Sequence, residues 1–196
     1  MVNRDQINRT GIVIAGGDSK RMGTDKGSLL FKGKTFIEHS IDALQPFVQR
    51  VMIISSKDYY DHLVYERKED LIPNAGPLAG LYTGLYHSKT ADNLVVSCDV
   101  PLVTEKIFQL LLDEENDPYD IVQCKNQDGI MPLVGRYKKQ CAIQCKELLD
   151  AGEKRLMELS KHLNTKTILL SESQGTQIKN INTKEELKII NNEGYD

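Results

Sequence analysis

A three-layer α/β fold, with a mostly parallel, Rossmann-like sheet covered by helices on both faces, is what this 196-residue chain predicts. Three observations carry that expectation. Short, β-branched apolar runs alternate with segments of helical periodicity almost from the first residue. The first run, Gly11-Ile12-Val13-Ile14-Ala15, ends in Gly16-Gly17, as a strand buried on both faces does before a turn. No internal repeat, low-complexity tract or linker interrupts the alternation, and the length suits a single domain over 1–196 with an ordered core at about 9–190.

After the first strand, Leu29–Phe36 reads as a β-hairpin turning at Gly33. Ile37, Ile41, Leu44 and Val48 then recur at helical spacing, with the helix ending near Pro46. Val51–Ile54 is a second buried strand and Asn93–Cys98 a third. Between them Leu78, Leu81 and Leu85 form an apolar stripe on a helix that Pro77 opens. Thr104 is expected to cap a helix carrying Ile107, Leu110 and Leu111, with Glu105 in its first turn. Tyr119–Cys124 reads as a strand, 138–150 and 154–163 as helical, and Thr167–Leu170 as a strand. Thr183-x-x-Glu186 is a capping box announcing a last helix over Leu187, Ile189 and Ile190, and the tail Asn191–Asp196 is expected to fray.

Lys+Arg 25 against Asp+Glu 28 gives a net charge of -3, which excludes a broad basic face for nucleic acid or anionic membrane. An anionic ligand must therefore be held by a local pocket. No apolar run approaches the roughly 20 residues of a membrane span, and the polar start has no secretory stretch, so the expected location is cytoplasmic. Cys98, Cys124, Cys141 and Cys145 contain no C-x-x-C pair and read as reduced, buried thiols. Cys141 and Cys145, four apart, can share a helix face.

In sheets of this kind, ligands bind beyond the carboxyl ends of the strands, so the loops there matter most. Residues 16–27 after the first strand hold four glycines and the cations Lys20, Arg21 and Lys26. Close-approaching backbone N–H groups combined with cations suit a polyphosphate. The segment is neither a dinucleotide fingerprint nor a Walker A loop, since Ser28 stands where Gly33-Lys34-Thr35 would need its upstream glycine. A second loop, Asp70-x-x-Pro73-Asn74-Ala75-Gly76-Pro77-Leu78-Ala79-Gly80-Leu81, offers small residues against which a flat base can lie; alone, it also reads as a tight helix start. Asp99 directly follows the third strand, where a carboxylate opposite a phosphate loop is placed to hold Mg²⁺.

Taken together, Ile14-Ala15-Gly16-Gly17-x-x-x-Arg21-Met22-Gly23-x-Asp25-Lys26 resembles a nucleotidyltransferase signature. Gly76–Leu81, Cys98-Asp99-Val100-Pro101 and Asn180-Ile181-Asn182-Thr183 narrow the resemblance to the molybdenum cofactor guanylyltransferases. This resemblance implies the nucleotide-diphospho-sugar transferase type of fold and transfer of GMP from GTP to Mo-molybdopterin. Matched by position, Ile14, Ala15, Gly16, Gly17, Lys26, Asp70 and Asp99 would bind nucleotide, along with Gly76, Leu78 and Gly80 of the second loop. Asp99 would also hold Mg²⁺. Ser55 falls where the family often has a base-contacting Asn, and Met131 where relatives carry a polar residue. Asn180 and Asn182 correspond to residues near the pterin, or serve as local capping groups. Arg21 and Lys26 would neutralise phosphate charge during transfer. Molybdenum-insertion proteins and molybdoenzyme-specific chaperones would be the protein partners, with no nucleic acid and no membrane. A cytidylyltransferase or another nucleotidyltransferase of this fold is the nearest alternative, and a noncatalytic nucleotide-sensing protein the alternative from another class.

Overall fold

A computed structural model describes residues 7–16, 25–113 and 118–192 of the chain. In chain order the elements are β1 (Arg9–Ile14), β2 (Leu30–Phe31), β3 (Lys34–Thr35), α1 (Phe36–Leu44), β4 (Arg50–Ile54) and β5 (Glu66–Lys68). There follow α2 (Gly76–His87), β6 (Asp92–Ser97), α3 (Glu105–Leu112), β7 (Ile121–Asn126) and β8 (Gly129–Lys138). The last are α4 (Cys141–Asp150), β9 (Thr165–Leu169), α5 (Glu172–Gln177) and α6 (Lys184–Asn192).

Seven strands form one sheet in the order β5-β4-β1-β6-β8-β7-β9. All neighbours are parallel except at β8, which is antiparallel to both β6 and β7. The mostly parallel α/β sheet predicted from the sequence is therefore present. Side chains alternate across it. Val13, Ile53, Leu94 and Val96 enter the core shared with Ile37 and Ile41 of α1 and Ile107 and Phe108 of α3. Ile12, Ile14, Met52 and Val95 enter the opposite core with Leu78, Leu81 and Leu85 of α2 and Cys141 and Cys145 of α4. Both faces of β1, β4 and β6 are thus covered, which is why these strands read as continuous apolar runs. A third cluster joins Phe31 and Phe36 to Ile181 and Ile190, docking the hairpin against α6.

Local signals explain most boundaries. The hairpin turns through Lys32 and Gly33, both at positive φ (45° and 81°), a combination suited to a tight two-residue connection. Thr35 and Glu38 form a capping box at the start of α1, and Pro77 sits in the first turn of α2. Thr183 and Glu186 make the expected reciprocal bonds, 3.1 and 3.0 Å. All four cysteines are buried and free.

Several expectations are corrected. Thr104 precedes α3 but makes no capping bond; its hydroxyl donates instead to Gln177 Oε1 at 2.7 Å, tying α3 to α5. Val48 lies beyond α1, because Pro46 ends the helix in a 3₁₀ turn over Gln45–Phe47. Residue 138 closes strand β8 rather than opening a helix, and 154–163 contains only a 3₁₀ turn, Leu156–Lys161. Strand β9 begins earlier than expected and β7 ends later. Asn191 and Asn192 finish α6, while the rest of the tail lies outside the described residues. Among the described residues, no helix is long and apolar enough to cross a membrane.

The approach of α2 to β1 depends on Gly84. A β-carbon there would fall 2.5 Å from Ile12 Cγ2 and 3.1 Å from its Cδ1. Gly84→Ala is expected to destabilise the chain by about 1–3 kcal/mol, as overpacking of a filled core does. Urea unfolding measures this, and an unchanged midpoint would refute the tight contact.

Candidate active site

The carboxyl ends of β1, β4, β5 and β6 lie along one sheet edge, and the loops that leave them build the site. Ladder hydrogen bonds extend one residue past the strands: Ala15 N–H donates to Ile54 O (2.9 Å), Ser55 N–H to Lys68 O (2.9 Å) and Cys98 N–H to Ile14 O (3.0 Å). The first described residues of each loop therefore inherit the rigidity of the sheet.

One group gathers around Asp99. Its Oδ1 accepts the Ser97 hydroxyl at 2.6 Å, and its Oδ2 faces the Lys26 ammonium at 3.2 Å. The same ammonium donates to the side-chain oxygen of Asn182. Asn182 is delivered by backbone pairing, since the Ile181 N–H donates to the carbonyl of Asp99 at 2.8 Å. Glu186 fixes the other side by accepting from the Asn182 N–H at 2.7 Å. Residues 26, 99 and 182, far apart in the chain, thus meet at one ammonium. Neighbouring Asn180 keeps its side-chain oxygen buried without a hydrogen-bond partner.

A second group surrounds Asp70. β-Carbons added at Gly16 and Gly80 would stand 3.9 Å from its Oδ2 and 3.7 Å from its Oδ1, and the one at Gly80 would be 3.2 Å from Ile14 Cγ2. Ile14, Gly16, Asp70 and Gly80 are therefore immediate neighbours. Asp70 Oδ1 is buried and unpaired, and burial raises its carboxyl above the ordinary aspartate value. The loop that follows is tied down by the Leu71 N–H donating to Thr83 Oγ1 (3.0 Å) and by Lys154 Nζ donating to Asn74 O (3.1 Å). It turns through Asn74 and Gly76 at φ of 59° and 73°, where glycine relieves the strain of a left-handed backbone.

Other predicted residues are placed differently. Ser55 is fully buried, its hydroxyl accepting the Lys57 N–H at 3.2 Å. Leu78 points into the core and Gly76 occupies the first turn of α2. Gly17 and Arg21 lie outside the described residues. Cys98, beside Asp99, is held protonated by burial. Sequence reasoning assigned no role to Asp25, Lys57, Tyr60 or Ser97. Asp25 was visible within the glycine-rich motif; the other three carry no periodic or motif signal.

Residues 11–166 match the family model of the MobA-like NTP transferase domain. The chain belongs to the MobA-like NTP transferase family. A probable molybdenum cofactor guanylyltransferase of Flavobacterium johnsoniae is 35% identical over 182 residues, 93% of this chain and 96% of that one. A probable molybdenum cofactor guanylyltransferase of a Geobacillus species is 29% identical over 188 residues, covering 92% and 96%. The solved structure of molybdopterin-guanine dinucleotide biosynthesis protein A from Archaeoglobus fulgidus shares the fold, with a TM-score of 0.80 at 23% identity over 93% and 96% of the two chains.

The raised Asp70 carboxyl has a consequence for stability. The folded chain holds this proton more tightly than the unfolded chain, so the group's contribution is greatest below the unfolded value and is lost as pH rises through the folded one. Asp70→Asn, which cannot ionise, is expected to melt above the parent at pH 7 and to lose that advantage as pH falls toward 3.8. Thermal unfolding at several pH values checks this; a variant that melts below the parent at pH 7 contradicts it.

Proposed function

We propose that this chain transfers GMP from GTP to Mo-molybdopterin, forming molybdopterin guanine dinucleotide and releasing pyrophosphate. The observation that carries the reading is the convergence of Lys26, Asp99 and Asn182 at the strand-end edge. The names of the relatives, guanylyltransferases matched over nearly the whole chain, support the choice of substrates.

The chemistry asks little of a base. The acceptor phosphate is already ionised, so one of its oxygens attacks the α-phosphorus directly while the bond to the departing pyrophosphate breaks. Catalysis then rests on positioning and on neutralising charge. His39 bonds the Phe31 carbonyl at 2.8 Å and His62 that of Tyr59 at 2.5 Å, and among the described residues no hydrogen bond joins either to Lys26, Asp99 or Asn182. Lys26 supplies positive charge to the triphosphate, and Arg21 is assigned the same task from its motif. Gly16 and Gly80 bring the backbone close to Asp70, whose buried, unpaired oxygen is assigned on this reading to a base N–H or a ribose hydroxyl.

The donors around Asp99 fit Mg²⁺. They are hard oxygens, from Asp99, Ser97 and Asn182. Among the described residues no cluster of three or more acidic, His or Cys side chains forms a complete metal cage. Mg²⁺ in nucleotide chemistry is usually held by one or two carboxylates together with substrate phosphates and water. When bound, Mg²⁺ would offset charge on the phosphate oxygens.

Asp99→Ala is expected to abolish Mg²⁺-dependent transfer while leaving the fold intact by circular dichroism. Lys26→Ala should lower turnover by roughly 10²–10³, the cost of losing one preorganised charge contact. Pyrophosphate release in the presence of Mo-molybdopterin, compared between GTP and CTP, measures both. Parental rates in Asp99→Ala, or release with CTP alone, would overturn the assignment.

A further inference from the structure

Lys26 has a rival partner next to it in the chain. Asp25 is the adjacent carboxylate, and a free carboxylate one residue away would compete with Asp99 for the Lys26 ammonium. In the structure both Asp25 oxygens are taken by other donors. Oδ1 accepts the phenol of Tyr60 and the Gly27 N–H, the latter at 2.9 Å. Oδ2 accepts the ammonium of Lys57. The residues flanking Lys26 on either side are thereby registered on a single phenol oxygen, because a β-carbon at Gly27 would overlap the Tyr60 hydroxyl. Tyr60 itself has no exposed surface, and its ring lies within the core that contains Ile53 and Val13. Burial keeps the phenol protonated, so it remains a donor.

We propose that Tyr60 is a positioning residue for Lys26, acting through Asp25, with Lys57 neutralising the Asp25 charge so that the Lys26 ammonium is presented to Asp99, Asn182 and the incoming phosphates. The catalytic part of this inference rests on the function proposed above; the positional part does not. Thirty-five residues separate Asp25 from Tyr60, and 32 separate it from Lys57. The 3₁₀ turn Asp58–His62, which follows Lys57, brings both donors to Asp25.

Tyr60→Phe removes only the hydroxyl and keeps the ring in the core. It is expected to lower kcat for GMP transfer about tenfold, as a modest displacement of a catalytic group does, with less than a twofold change in KM for GTP. Gly27→Ala should cost much less in the Tyr60→Phe background than in the parent, because the overlapping oxygen is gone; contacting residues are expected to be non-additive in this way. A third readout needs no turnover: acetylation of Lys26, followed by mass spectrometry against exposed Lys188, should change severalfold in Tyr60→Phe while Lys188 does not. If Gly27→Ala does not fold, the Tyr60→Phe kinetics and labelling still decide. Parental kcat together with unchanged Lys26 labelling overturns the inference, as does an equal cost of Gly27→Ala in both backgrounds. Altered Lys26 labelling in a chain that transfers no GMP upholds the positioning role and overturns the functional reading instead.

Discussion

The parallel pairing of β1 with β4 on one side and β6 on the other is the constraint on which the site depends. Parallel strands must return by crossovers, so their carboxyl ends fall on the same edge and each leaves that edge through a loop. Ile14, Ile54 and Ser97 end their strands in register, and the backbone bonds of Ala15, Ser55 and Cys98 carry that register one step further. Asp99 inherits its position from this ladder and passes it on through its own carbonyl to Ile181. The segment bearing Asn180 and Asn182 is thus hung from β6, although it lies more than 80 residues later in the chain. A shift of β6 relative to β1 would move both the acid and the Asn182 amide that face Lys26.

Charge follows the same logic. A net charge of -3 spread over the surface would attract no triphosphate. At the site, however, acidic and basic groups are sorted by partner. Lys57 and the Tyr60 phenol satisfy Asp25, Arg67 pairs with Asp61 and Glu69 at the neighbouring edge, and Lys26 is left to Asp99 and Asn182. Pairing the nearby carboxylates elsewhere leaves this ammonium to Asp99 and Asn182, and on the proposed reading its interaction with a phosphate in the partly desolvated edge would be less screened than in water.

Legibility in the sequence tracked burial. Strands β1, β4 and β6 are covered on both faces, so they show as apolar runs, and helices α1, α2 and α3 carry one apolar stripe each. Strand β5, Glu66-Arg67-Lys68, pairs on one side only and is polar throughout, leaving no periodic signal. Strand β8 is hidden by Pro132 and Gly135, which the sheet accommodates because its register with β7 breaks between Gln123 and Cys124. Helix α5 is a polar six-residue turn whose Ser171–Gln174 capping box was its one available cue. At the site, the residues immediately after strands could be read, since chain order places them. Tyr60, Lys57 and Ser97 could not, because what they do depends on contacts that only the folded sheet and its turns create.

The two acids of the site express opposite physical choices. Asp99 is satisfied, one oxygen by the Ser97 hydroxyl and the other by Lys26. Asp70 has a buried oxygen with no partner and a carboxyl raised by desolvation. A buried polar atom left unpaired lowers stability, and native chains tolerate few of them. Gly16 and Gly80 bring the backbone close to Asp70, and on the proposed reading its buried, unpaired oxygen is assigned to an N–H or O–H group of the ligand. On the proposed reading, the energy withheld by leaving Asp70 unpaired is recovered when nucleotide binds. The site is then least stable where it is most selective, a trade between folding and recognition expected wherever a pocket is built to hydrogen-bond its ligand.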